Sequence, residues 1–143
     1  MAAFAAATLA PLPLLALGSA LGGAWLWVAL AYMGATSVLL DQLLPLMEAD
    51  APEGAEFPAA DTLLVVLALI GLALPPMALL GAANPALGYA EKAALIFTNG
   101  LWLGQIGHPT AHELIHRATR GKTRLGIALY SWLLIGHHAS SHR

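Results

Sequence analysis

The first forty residues contain no Asp, Glu, Lys or Arg. A hydrocarbon core of ~30 Å takes ~20 helical residues per crossing, so this uncharged run is long enough to cross a membrane twice. Helical spans are expected at 3–18 and 20–40, with Gly18, Gly22 and Gly23 at the turn between them. Pro11 and Pro13 bend the first span, which membrane helices tolerate. Trp25 and Trp27 suit an interfacial anchor near the start of the second, which also holds Tyr32. A signal peptide over residues 1–24 would want a basic start, and none is present.

The apolar character continues beyond this run. Apolar residues make up 59% of the 143-residue chain and the mean hydropathy is +0.73, above an ordinary globular domain. Residues 41–61 interrupt it with Asp41, Glu48, Asp50, Glu53, Glu56 and Asp61, three prolines and no basic residue, which reads as a solvated connection. The acids lack the spacing of a calcium loop. A third span is expected at 62–82, interrupted by Pro75-Pro76, then a turn at Asn84-Pro85 and a fourth span at 86–107. Glu91 and Lys92 are adjacent and so lie on different helix faces, not as a pair. Asn99 and Gln105, inside the fourth span, are placed to line the bundle and hydrogen-bond across it. With a net charge of −2 nothing favours nucleic-acid binding. The absence of cysteine excludes disulfides, thiolate metal sites and cysteine nucleophiles.

All six histidines lie between positions 108 and 142. His112 and His116 are spaced i, i+4, which on a helix puts both imidazoles on one face where they can share a metal ion. His138 and His142 repeat the spacing, and His137 adjoins them. Imidazole suits zinc, iron, copper and nickel alike, so ligand type does not name the metal. His112-Glu113-Leu114-Ile115-His116 also has the form of the zinc-protease signature, with Glu as general base. The extended form of that signature needs histidine at 122, which is Lys122, and no acidic residue follows Glu113. Any third ligand downstream is therefore a histidine, and an all-histidine site fits iron and oxygen chemistry better than peptide hydrolysis. Pro109 cannot donate to the Gln105 carbonyl, so the helix either kinks or restarts at this point. A continuous helix would put His108 on the same face as His112 and His116; a break would swing it away.

Arg117, Arg120, Lys122 and Arg124 place four of the six basic residues within eight positions, with Gly121 expected to break the helix. By the positive-inside rule this loop is cytoplasmic. The apolar stretch 125–136 would extend only ~18 Å as helix, too short for a full crossing. It is therefore expected to be re-entrant or interfacial, which keeps both histidine clusters on the cytoplasmic side. The chain is expected to be an all-α polytopic membrane protein, with about four transmembrane helices in two hairpins plus this short segment, as a single domain.

Ala111-His112-Glu113-Leu114-Ile115-His116-Arg117, followed by Gly136-His137-His138 and His142, resembles the histidine boxes of the integral-membrane di-iron oxygenases and desaturases, closest to alkane 1-monooxygenase. The resemblance is strong over the first box and partial over the second, and the third box is missing. It implies hydroxylation of an aliphatic chain, an alkane terminus above all, by two non-haem iron ions with dioxygen as co-substrate. The electrons would come from rubredoxin or ferredoxin with its reductase. It implies His112, His116, His138 and His142 as metal ligands, with His108, His137 and Glu113 as ligands or hydrogen-bonding neighbours of them. It further implies a bacterial inner-membrane location and an N-terminal portion of a longer enzyme. Alternative readings are a fatty-acyl desaturase or lipid hydroxylase of the same superfamily, an intramembrane zinc protease and a b-type haem protein. On the oxygenase reading, coding sequence beyond Arg143 contains two histidines about four residues after His142 and then a third box; sequencing that region checks it, and a stop codon there would mean that the complete site cannot form within one chain.

Overall fold

The computed structural model describes residues 2–43 and 59–136, and every regular element among them is helical. In chain order these are α1 (Ala2–Leu9), α2 (Pro11–Leu21), α3 (Ala24–Leu43), α4 (Ala60–Ala83), α5 (Tyr89–Trp102), a π-helical turn (Leu103–Gly107), α6 (His108–Ile115) and α7 (Arg120–Trp132). Most of the acidic connection between α3 and α4 lies outside the described residues.

The first expected span is divided at Ala10, where Pro11 cannot supply an N–H to the Ala7 carbonyl. That carbonyl accepts a bond from the Tyr32 hydroxyl at 2.9 Å, and the Trp102 indole N–H donates to the neighbouring Thr8 carbonyl at 3.0 Å. Two aromatic side chains from other helices thus fill the broken turn. α4 continues through Pro75 and Pro76, although neither can donate to the carbonyl four residues back. α4 also begins two residues before the expected span and takes Asp61 into its first turn.

Among the described residues one helix, Ala60–Ala83, is long and apolar enough to cross a membrane; Ala5–Leu21 and Ala24–Ala35 are apolar but shorter. α4 is also the element shared by both cores. Leu67 and Leu74 pack with Leu15, Leu26, Met33, Leu95 and Trp102, while Ala68 packs with Ala111, Leu114, Leu129 and Tyr130.

The α2–α3 and α4–α5 turns lie side by side. Gly22 and Gly23 both have positive φ, a conformation that glycine adopts without steric penalty. The Glu91 carboxylate accepts the backbone N–H of Gly23 and of Gly88, and the Asn84 amide donates to the Ala20 carbonyl. These bonds tie both turns to one end of the bundle.

The other end is formed by α6 and α7. Gly121 does not break this region: it falls in the first turn of α7, where N–H groups lack intrahelical partners in any case and glycine is tolerated. The break comes earlier, after His116, and Thr119 is extended at the helix start. Most of the apolar stretch from 125 therefore belongs to a helix that already carries Arg120, Lys122 and Arg124. α7 closes against α6 at Gly126, where an added Cβ would stand 2.9 Å from both the Ala111 carbonyl oxygen and the Leu114 Cβ. α7 ends in a Schellman motif: Ile135 N–H donates to the Tyr130 carbonyl, Leu134 N–H donates to that of Ser131, and Leu134 has φ 61°.

Gly126→Val forces α7 away from rigid backbone on α6 and is expected to destabilise the fold by about 1–3 kcal/mol. Denaturation of the variant in lipid checks this, with the loss confined to the α6–α7 pair in hydrogen exchange.

Candidate metal centre

The histidine helix is the continuation of α5. Pro109 has no N–H for the Gln105 carbonyl, and the chain accommodates this by widening. The His108 N–H donates to the Leu103 carbonyl in an i→i−5 bond, and the Leu103–Gly107 segment is a π-helical turn. No loop intervenes, so α5, the turn and α6 follow one another without interruption from Tyr89 to Ile115.

His112 and His116 stand on one face of α6, with ring centroids 4.8 Å apart and planes at 63°. His116 is the residue at which the helix ends, and it is exposed, whereas His112 is half-buried. The His108 ring meets the Tyr130 ring edge-on, with centroids 5.4 Å apart. The Tyr130 hydroxyl lies 3.3 Å from His112 Nδ1. Tyr130 thus joins His108 to His112 from the opposing helix. It is fully buried in its residue surface, and burial pushes its phenol above the ordinary value, so the hydroxyl stays protonated and can donate or accept. In the tautomer with the proton on His112 Nδ1, that N–H donates to the phenol oxygen and Nε2 keeps its lone pair. Metal-bound imidazoles are commonly oriented in this way.

Glu113 is engaged within its own helix: its Oε1 accepts from Arg117 Nη2 at 2.7 Å. Arg117 Nε in turn stands 3.4 Å from Asp61 Oδ1, and Lys122 Nζ pairs with Asp61 Oδ2. Asp61 thus belongs to the first turn of α4, partly exposed, and partners the basic residues that follow the first box. Asn99 does not bond across the bundle either, because its amide donates to the Leu95 carbonyl of its own helix at 2.8 Å.

A groove of about 580 Å³ opens beside His108, between the π-helical turn and the end of α7. Pro75, Leu103, Gly104, Trp132, Leu134 and Ile135 form its apolar walls, and His108 is the one ionisable side chain on them.

His137, His138 and His142 lie outside the described residues. Among the described residues no group of three or more His, Asp or Glu is close enough to hold a metal ion. The structure therefore brings together His112 and His116, with His108 connected through Tyr130. Tyr130 and Asp61 are the two contributors that sequence reasoning missed. A lone tyrosine in an apolar stretch was a signal, since a buried phenol needs a polar partner. Comparison with family models, curated proteins and solved structures finds no match to the chain.

Tyr130→Phe removes the partner of His112 Nδ1. In 15N spectra of the imidazoles it is expected to shift the His112 signals toward the other tautomer and to leave those of His116 nearly in place.

Proposed function

We propose that this chain carries part of a membrane-embedded di-iron centre that hydroxylates an aliphatic chain, an alkane terminus being the closest reading. The observation that carries the proposal is the His112–His116 pair, with rings 4.8 Å apart at the polar end of an otherwise apolar bundle. Two neutral imidazoles at i, i+4 suit a first-row metal, and the phenol at His112 Nδ1 supplies the outer hydrogen bond that such ligands use. His138 and His142, and behind them His137 and His108, are the candidates for completing the donor set.

Several features support a polytopic arrangement. α4 has 24 residues, about 36 Å at 1.5 Å each, enough to cross a ~30 Å core. Its first turn meets Arg117 and Lys122, and its far end meets the Asn84 and Glu91 knot, so polar groups gather at both ends. Between them Leu69, Leu79, Leu80, Ile96 and Phe97 are exposed. A soluble monomer rarely leaves so much large apolar surface uncovered, whereas lipid would cover it. On this reading one hairpin, made of α1 and α2 together with α3, and a second, made of α4 with α5 and its continuation, cross the bacterial inner membrane. The histidine end, with its basic residues, faces the cytoplasm, where rubredoxin or ferredoxin with its reductase would deliver electrons.

When bound, iron supplies dioxygen activation and the attack on a strong C–H bond, chemistry that belongs to the cofactor. The residues of this chain do the rest. His112 and His116 hold the metal, and Tyr130 fixes the His112 ring. The groove beside His108 offers an aliphatic chain an apolar wall with, among the described residues, a single ionisable group on it.

In lipid nanodiscs His112→Ala and His116→Ala are each expected to lower ferrous-iron affinity by roughly tenfold or more, and product analysis with alkane against acyl substrate identifies the reaction. Equal iron uptake by the wild type and the double variant overturns the proposal. Zinc bound in preference to iron favours the protease reading, and a Soret band favours haem.

A further inference from the structure

Arg117, the residue after His116, is held from three sides. Glu113 reaches it from within α6 at 2.7 Å. The Thr123 hydroxyl on α7 donates to its carbonyl at 3.0 Å. Asp61, from the first turn of α4, faces its guanidinium and also pairs with Lys122 on α7. Glu113 belongs to the same helix and cannot locate that helix relative to anything else. Asp61 is separated from Arg117 by more than fifty positions and belongs to the helix shared by both cores. Asp61 Oδ1 and Arg117 Nε are also shut off from solvent, although the side chains as wholes are only partly buried, and among the described residues neither atom makes a hydrogen bond, so their approach at 3.4 Å is one of charge alone. Shielding of this kind strengthens a charge pair relative to one in open water.

The α6–α7 corner follows directly on His116. His116 sits at the helix end with φ −85° and ψ −5°, and the next backbone N–H reaches only the Leu114 carbonyl, at 3.3 Å. The regular backbone ladder thus ends at His116, and the corner that follows it is placed by contacts from other elements. We infer that Asp61 is a positioning residue for His116: its carboxylate, gripping Arg117 and Lys122 together, holds the α6–α7 corner so that the His116 imidazole stays beside that of His112. The inference rests on the reading of these two histidines as metal ligands. It assigns Asp61 no contact with metal or substrate.

The chain lacks cysteine, so cysteines introduced at the exposed Thr62 and Ala118 can be spin-labelled selectively. The full chain in nanodiscs is examined as wild type, D61N, D61E and K122Q, by label–label distance and by cobalt(II) absorption during titration. D61N is expected to broaden the 62–118 distance distribution and to weaken cobalt binding by about tenfold, with helical content unchanged. D61E restores both readouts, and K122Q, which keeps the Arg117 contact, falls between. A distribution in D61N as narrow as that of the wild type overturns the role of Asp61 while leaving the metal reading intact. Identical cobalt spectra for wild type and H116A overturn the ligand reading itself, and the positioning role with it.

Discussion

A bundle with so little charge must satisfy its backbone from within, and the prolines make this demanding. Each proline inside a helix withdraws a donor and leaves a carbonyl four residues back without its usual partner. Two of these sites show different solutions. At Pro11 the helix divides, and the freed Ala7 carbonyl takes the Tyr32 hydroxyl, with the Trp102 indole bonded one residue further on. At Pro109 the helix widens by one residue and the His108 N–H bonds at i−5. Trp102 and the widened turn are adjacent in the chain, so the repair of the first break and the approach to the histidines are parts of one rod.

That rod explains why the histidine helix is well placed despite its length. Eight residues of helix would not stand alone in water. α6 is carried by α5 through the π-helical turn and is closed on its other side by α7 at Gly126. The same contact delivers Tyr130, four residues later on α7, to the rings of His108 and His112. Packing and polar chemistry therefore meet at one crossing, where a small residue lets two backbones approach and a large one supplies the hydroxyl.

Much of this was legible in the residues. The apolar runs, the turns at Gly22-Gly23 and Asn84-Pro85, and the i, i+4 register of His112 and His116 follow from local chemistry, and the structure shows helices and turns at those places. What was not legible depends on distant partners. Asp61 closes a row of six acids and by composition belongs to the loop; only α7 folding back reveals that Arg117 and Lys122 claim it. Glu91 looked like an incidental charge near a helix start, yet it accepts from Gly23, sixty-eight residues away. Asn99 had two physically sound choices, a carbonyl on its own helix or a partner across the bundle, and sequence alone cannot rank them. Pro109 likewise dictates that something must change in the helix without dictating that it widens.

The end of α7 carries a consequence for how a donor set could be assembled. Leu134 occupies a left-handed position that glycine usually fills, and it is retained there by the two backbone bonds of the Schellman motif. The placement of the chain up to Gly136, the residue before His137, is thus decided by peptide groups and the packing of α7. A donor arriving from further along starts from a preset origin beside the groove. If the histidines beyond Gly136 serve as donors, the start of their segment is fixed by folding before any ion binds, so metal affinity at such a centre would answer to the stability of α7 as well as to the identity of its ligands.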